Sequence, residues 1–96
     1  MLQASFNVAT GSSACATLAC IPAWLSDFRA DIASIKIPTL TVQGDADCIL
    51  PIEVTGERLP KLIEGSEYVV IKDGPHAIGW THAEKLNRAM LDFIGK

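Results

Sequence analysis

An α/β fold is predicted for this sequence: two parallel strands joined by a crossover helix, a closing helix, and a helical lead-in before them. Three observations lead there. Residues 39–43 and 67–72 carry the alternation or the β-branched content of strands. Helix-patterned segments lie between these runs and after the second. Strand and helix therefore alternate, an order that brings parallel strands with right-handed crossovers. At 96 residues the chain has room for one domain, 1–96, with a lead-in over 1–36 and a β-α-β-α unit over 37–96.

Each element has its own signal. Residues 1–25 are rich in Ala, Ser, Thr and Gly, with Phe6, Leu18, Ile21 and Trp24 as larger anchors. A short extended piece over 5–10, with Phe6 and Val8 on one face, leads into a helix over 13–20 that Pro22 ends. Phe28, Ile32 and Ile35 at helical spacing predict a helix over 24–35, with Asp27, Arg29 and Asp31 outward. Pro38 introduces the first strand, Leu40 and Val42 alternate within it, and Gly44 closes it. After the acidic turn Asp45-Ala46-Asp47, a helix starts near Pro51 or Ile52, since Pro suits a first helical position. It runs to Ile63, with Pro60 as a kink. The second strand ends at Asp73-Gly74-Pro75, and His76 follows. In the last helix Thr81 and Glu84 form a capping box. Ala83, Leu86, Ala89 or Met90, Phe93 and Ile94 make its apolar face, and Gly95 ends it.

Composition narrows the function classes. Eight Lys plus Arg against eleven Asp plus Glu, scattered singly or in pairs, argue against a nucleic-acid partner and against an anionic membrane surface. The longest apolar stretch, 14–25, is interrupted by Thr17 and Pro22 and is too short to span a bilayer. Thr17-Leu18-Ala19-Cys20 faintly resembles a lipoprotein cleavage site, but no Lys or Arg precedes it, so export is not expected. Three cysteines, Cys15, Cys20 and Cys48, make neither a disulfide framework nor a zinc motif and point to a reducing, cytoplasmic setting. A hydrophobic share of 49% and a mean hydropathy of +0.28 are high for so small a domain. Two strands leave sheet edges needing partners, so a homo-oligomer or a complementary polypeptide is expected.

Chemistry is expected at the two strand ends, where functional groups of open α/β sheets gather. Adjacent parallel strands lie about 5 Å apart, so groups on neighbouring loops can meet. Asp47 and His76 are the candidate catalytic residues: a carboxylate on Nδ1 fixes the imidazole tautomer, and the ring serves as general base. The alternative is an Asx-turn aspartate and a solvated loop histidine. Asp45, nearer the strand, competes for the acid role or ties down the loop. His82 reads as an exposed first-turn residue. Neither histidine shows a zinc-ligand spacing, and neither a metal nor a cofactor is expected.

At these residues the sequence resembles a known family. The runs Trp24-Leu-Ser-Asp-Phe-Arg-Ala-Asp-Ile32, Ile37-Pro-Thr-Leu-Thr-Val-Gln-Gly-Asp-Ala-Asp47 and Ile49-Leu-Pro-Ile52 are similar to the C-terminal part of the α/β-hydrolases. Within that family they look most like cofactor-free bacterial haloperoxidases and related esterases. Glu67-Tyr-Val-Val-Ile71, Gly74-Pro-His76 and Trp80-Thr-His-Ala-Glu84 continue the match. The resemblance implies the C-terminal half of an α/β-hydrolase fold, with Asp47 as triad acid and His76 as triad base. Ester hydrolysis and perhydrolysis, with a small ester as substrate, follow by the same implication. The family pattern usually has His where Gln43 stands, and Arg or a similar polar residue where Cys48 stands. Its nucleophilic Ser, on a G-x-S-x-G elbow, and its oxyanion loop are not found in these 96 residues.

Gly11-Ser12-Ser13-Ala14-Cys15 offers a weak substitute: Ser13 would lie between a strand and a helix, in the order Ser13, Asp47, His76. Cys15, however, replaces the Gly that such a turn requires, and Ser12 or Ser13 equally suits a helix cap. The expected function is an esterase-type chain supplying the Asp-His part of a triad, active once an assembled oligomer or partner provides a nucleophile, or once His76 activates water. The alternative is a non-catalytic hydrolase half acting in oligomerisation or complementation.

Overall fold

The computed structural model describes residues 2–96; Met1 lies outside the described residues. Its elements are α1 (Leu2–Thr10), α2 (Ala14–Trp24), α3 (Arg29–Ala33), β1 (Leu40–Gly44), α4 (Leu59–Leu62), β2 (Glu67–Ile71), α5 (Ile78–Thr81) and α6 (Ala83–Ile94). Between β1 and α4 lie two 3-10 turns, Ile52–Val54 and Gly56–Arg58. β1 and β2 pair in parallel, Leu40 with Glu67 through Gly44 with Ile71. This is the predicted α/β class.

Side chains alternate across that pair. Leu40 and Val69 share one face with Ala89 and Phe93 of α6. Gln43 and Tyr68 lie on the other face, against Gly56 of the crossover. The buried apolar core is small, comprising Ile52, Ile63 and Ile71. Lys96 Nζ donates to both carboxylate oxygens of Glu67 at 2.6 Å, tying the end of α6 to the start of β2.

The lead-in is helical from the outset, so the extended piece predicted over 5–10 is not formed. Two apolar residues in alternation are a weak strand signal. Here local i to i+4 bonds favour the helix: Gln3 Nε2 donates to Asn7 Oδ1 at 2.9 Å and Thr10 Oγ1 to the Phe6 carbonyl at 2.9 Å. α2 continues past Pro22 to Trp24. A proline in the last turn removes only one backbone bond, and the helix ends soon after it. The helix predicted over 24–35 shrinks to α3. Asp27 accepts the Arg29 N–H at 3.1 Å in an Asx-type turn and pairs with its guanidinium at 2.6 Å, holding the preceding residues out of the helix.

The predicted crossover helix is broken rather than kinked. Thr55 has φ −127° and ψ −95°, and the Gly56 N–H donates to Gln43 Oε1 at 2.9 Å instead of to a helical carbonyl. Pro60 is the second residue of α4, within the first turn, where its missing N–H costs nothing. The capping box is also absent. Thr81 is taken up in α5, its hydroxyl 2.7 Å from His82 Nδ1, and His82 stands at the N-cap of α6 without a side-chain cap.

α1 and α2 contain no buried residue, and no Asp, Glu, Lys, Arg or His occurs before Asp27. Among the described residues no single helix is long and apolar enough to cross a membrane; α1 and α2 pass that test only together, bent by 106°. The chain exposes 7344 Å², against roughly 5,400 Å² for a compact monomer of its mass. Its radius of gyration, 15.4 Å, likewise exceeds the roughly 12.5 Å of a compact chain this long. Leu2, Val8, Trp24, Leu25 and Ile37 are each more than 70% exposed.

Candidate functional site

The loops after β1 and β2 meet backbone to backbone. The Asp45 N–H donates to the Ile71 carbonyl at 3.2 Å and the Ala46 N–H to the Gly74 carbonyl at 3.0 Å. A Cβ built on Gly44 would lie 2.0 Å from the Gly74 oxygen, and one on Gly74 would lie 3.0 Å from the Gly44 Cα. Only glycine at both positions permits this approach. Asp73 turns the second loop with φ 57°, a conformation aspartate tolerates. Its N–H donates to Asp45 Oδ1 at 2.7 Å, so Asp45 ties the two loops together.

This contact brings Asp47 and His76 together. Asp47 Oδ2 lies 2.9 Å from His76 Nδ1. The Asp47 side chain is 5% exposed and that of His76 46%. Asp47 Oδ1 accepts the Ile49 N–H at 3.0 Å and the Leu50 N–H at 2.8 Å. The Leu50 N–H holds the carboxyl below its usual range; burial opposes this, while His76 and the Ile49 N–H reinforce it. A fixed, ionised carboxylate on Nδ1 selects the tautomer that leaves Nε2 as the basic nitrogen. Among the described residues Nε2 has no protein partner. A concavity of about 290 Å³ runs along the open edge of β1, lined by Val42, Gln43, Asp47, His76 and Ile78. A larger apolar hollow, about 540 Å³ between α3 and the crossover, contains neither Asp47 nor His76.

Comparison with known proteins bears on the fold that carries these residues. Over 93 residues the chain is 55% identical to a provisionally named non-heme chloroperoxidase of Synechocystis sp., covering 97% of this chain and 34% of that protein. A crystal structure of a bromoperoxidase from Bacillus anthracis superposes with a TM-score of 0.72 at 39% identity, covering 74% of this chain and 26% of that one. The chain belongs to the α/β-hydrolase fold family. It corresponds to a C-terminal portion of that fold. A bifunctional esterase/perhydrolase of Acinetobacter calcoaceticus is 29% identical over 72% of this chain and 25% of its own length. The chain thus spans between a quarter and a third of the curated relatives it matches, 25% and 34% for these two. No family model matches it.

Within this hydrolase portion the other sequence candidates fall elsewhere. Ser13 caps α2, its Oγ accepting the Ala16 N–H at 3.0 Å. Because α1 is helical, the strand-turn-helix elbow imagined around Ser13 does not exist. His82 bonds its neighbour Thr81 rather than an acid. Cys15, Cys20 and Cys48 are free and exposed. Among the described residues no three His, Cys, Asp or Glu side chains gather as a metal site.

The sequence marks Gln43 only as a departure from the family pattern, whereas the structure gives it contacts to the Asp47 turn and to the crossover. Its Nε2 donates to the Leu50 carbonyl at 2.7 Å and to Thr55 Oγ1 at 2.9 Å, and lies 3.5 Å from Asp47 Oδ2. Its Oε1 accepts the Gly56 N–H at 2.9 Å and the Thr55 hydroxyl at 3.2 Å. An amide side chain beside the closing Gly44 of a strand next to a candidate site was the available signal.

Proposed function

We propose that this chain supplies the acid and base of an esterase of the haloperoxidase and perhydrolase type. Asp47 orients His76, and His76 Nε2 takes the proton from a nucleophile. The observation that carries this reading is the 2.9 Å contact between a buried Asp47 and a half-exposed His76. His76 deprotonates a serine presented by a second copy or by a complementary hydrolase segment, or it activates water directly. The substrate is a small ester, and the three free thiols suit the cytoplasm. The relatives named for chloroperoxidase and esterase/perhydrolase activities support the reaction class.

A second reading rests on a different observation. The surface exceeds that of a compact monomer by roughly 2,000 Å², more than the roughly 800 Å² each partner buries in a standard interface. That excess favours an interaction module that completes its sheet on another polypeptide.

One experiment separates the two. Turnover of a short-chain p-nitrophenyl ester is measured for the wild type, His76→Ala and Asp47→Asn, with the mass of the assembly followed by light scattering. Loss of about 10²–10⁴ in rate with either substitution, in assemblies of unchanged mass, supports catalysis. An assembled wild type without turnover above background sinks the enzyme and leaves the interaction module. A monodisperse 10.3 kDa monomer sinks the module.

A further inference from the structure

We infer that Gln43 is a positioning residue: its side-chain amide fixes the Asp47 loop so that Oδ2, and not another group, meets His76. The inference rests on the Asp-His reading above.

The amide joins three segments. It grows from the penultimate residue of β1 and reaches the Leu50 carbonyl at the end of the Asp47 turn. It also reaches both Thr55 and Gly56 in the crossover. Its orientation is set by chemistry, since a carbonyl needs the NH₂ end and the Gly56 N–H needs the oxygen end. That orientation commits the two amide hydrogens to the Leu50 carbonyl and Thr55 Oγ1 and leaves the NH₂ end 3.5 Å from Asp47 Oδ2, the oxygen that faces His76. Asp47 Oδ1 is meanwhile held by two backbone N–H groups of the same turn. The turn carrying those N–H groups is pinned to the crossover through Gln43, so displacing the amide frees the turn and the carboxylate together.

Packing shows how little slack the amide has. A Cβ on Gly56 would lie 2.0 Å from Gln43 Oε1 and 3.0 Å from Tyr68 Oη. The colliding atom is the tip of a flexible side chain. Gly56→Ala therefore pushes the amide aside while the backbone keeps its course.

Three variants test the role, read by the ring ¹⁵N shifts of His76 in the neutral imidazole. This readout reports which nitrogen carries the proton and needs no turnover. In the wild type the Nδ1–H form predominates. Gln43→Glu keeps the shape, replaces the donor with an acceptor and places a second carboxylate beside Asp47. Gly56→Ala displaces the amide without altering Gln43. Each lowers the ratio of Nδ1–H to Nε2–H forms by about fivefold or more, the equivalent of one hydrogen bond. Gln43→His offers one donor and one acceptor to the same segments and restores the wild-type ratio.

Folding of each variant is checked by far-UV circular dichroism. If Gln43→Glu fails to fold, Gly56→Ala decides. An unchanged ratio in a folded Gln43→Glu or Gly56→Ala protein overturns the positioning role. A wild type lacking the Nδ1–H preference overturns the Asp47–His76 pair as well, and so identifies which of the two readings failed.

Discussion

Gly44→Ala is the most incisive perturbation of this structure. The new methyl carbon would stand 2.0 Å from the Gly74 oxygen and 2.3 Å from its carbonyl carbon, both backbone atoms. Neither can rotate away, so the two loops must part by about 1 Å to reach even a tight contact. A displacement of that size stretches the 2.9 Å Asp47–His76 contact to about 4 Å, beyond hydrogen-bond range. It also breaks the bonds from the Ala46 N–H to Gly74 and from the Asp45 N–H to Ile71, each contributing about 1 kcal/mol. The Asp73 N–H to Asp45 bond adds about 1 kcal/mol more, discounted for its exposure. A loss near 3 kcal/mol lowers the urea midpoint by about 2 M for a protein of this size. The assay is urea unfolding by circular dichroism, with the His76 ring ¹⁵N spectrum taken on the folded baseline. Gly79→Ala is the control, because a Cβ there meets nothing within 4 Å and adds helix propensity. A Gly44→Ala protein with the wild-type midpoint and an intact Nδ1 contact would show that the glycine contact does not build the site.

Three further predictions follow from other contacts. The Asp47 carboxyl, held below its usual range first by the Leu50 N–H, binds its proton less readily folded than unfolded. Its stabilisation is complete above the ordinary aspartate value near pH 4 and fades as the pH falls through the lowered value. The urea midpoint of the wild type should therefore drop below about pH 4, and a drop of equal size in Asp47→Asn would contradict this. Ser13→Ala should cost α2 about 1 kcal/mol, seen as faster amide exchange at Ala16, and leave ester turnover untouched; lost turnover would restore Ser13 as a nucleophile. Asp45→Ala should speed exchange of the Asp73 amide about fivefold and lower stability by about 1 kcal/mol, whereas unaltered exchange would mean that the loops are held by their backbones alone.

Much of this architecture was legible in the residues. Leu40 and Val42 declared β1, and Glu67 to Ile71 declared β2, because β-branched alternation is a local signal that pairing only reinforces. Parallel pairing then placed the Gly44-to-Asp47 turn beside the Asp73-to-His76 turn, which is why Asp47 and His76 could be named together. Part of what escaped depends on partners distant in sequence, and part on local competition between elements. The crossover broke at Thr55 because Gln43, twelve positions earlier, captured its hydroxyl. Thr81 matched a capping box in sequence but was drawn into α5 before α6 began. Residues 5–10 carried too few apolar positions for period alone to separate strand from helix. The importance of Gly44 and Gly74 to each other appears only when both loops are in place.

The parallel ladder also dictates how the site comes into being during folding. Each of its pairs, from Leu40 with Glu67 to Gly44 with Ile71, spans the same 27 positions, so one ring closure sets every rung. Asp47 and His76, 29 positions apart, are joined by that same closure at almost no added entropy. The acid–base contact is thus a by-product of zipping the ladder and should appear in the same kinetic phase. A separation this short favours an early event. The imidazole is oriented as the sheet forms, and not by a later step of its own.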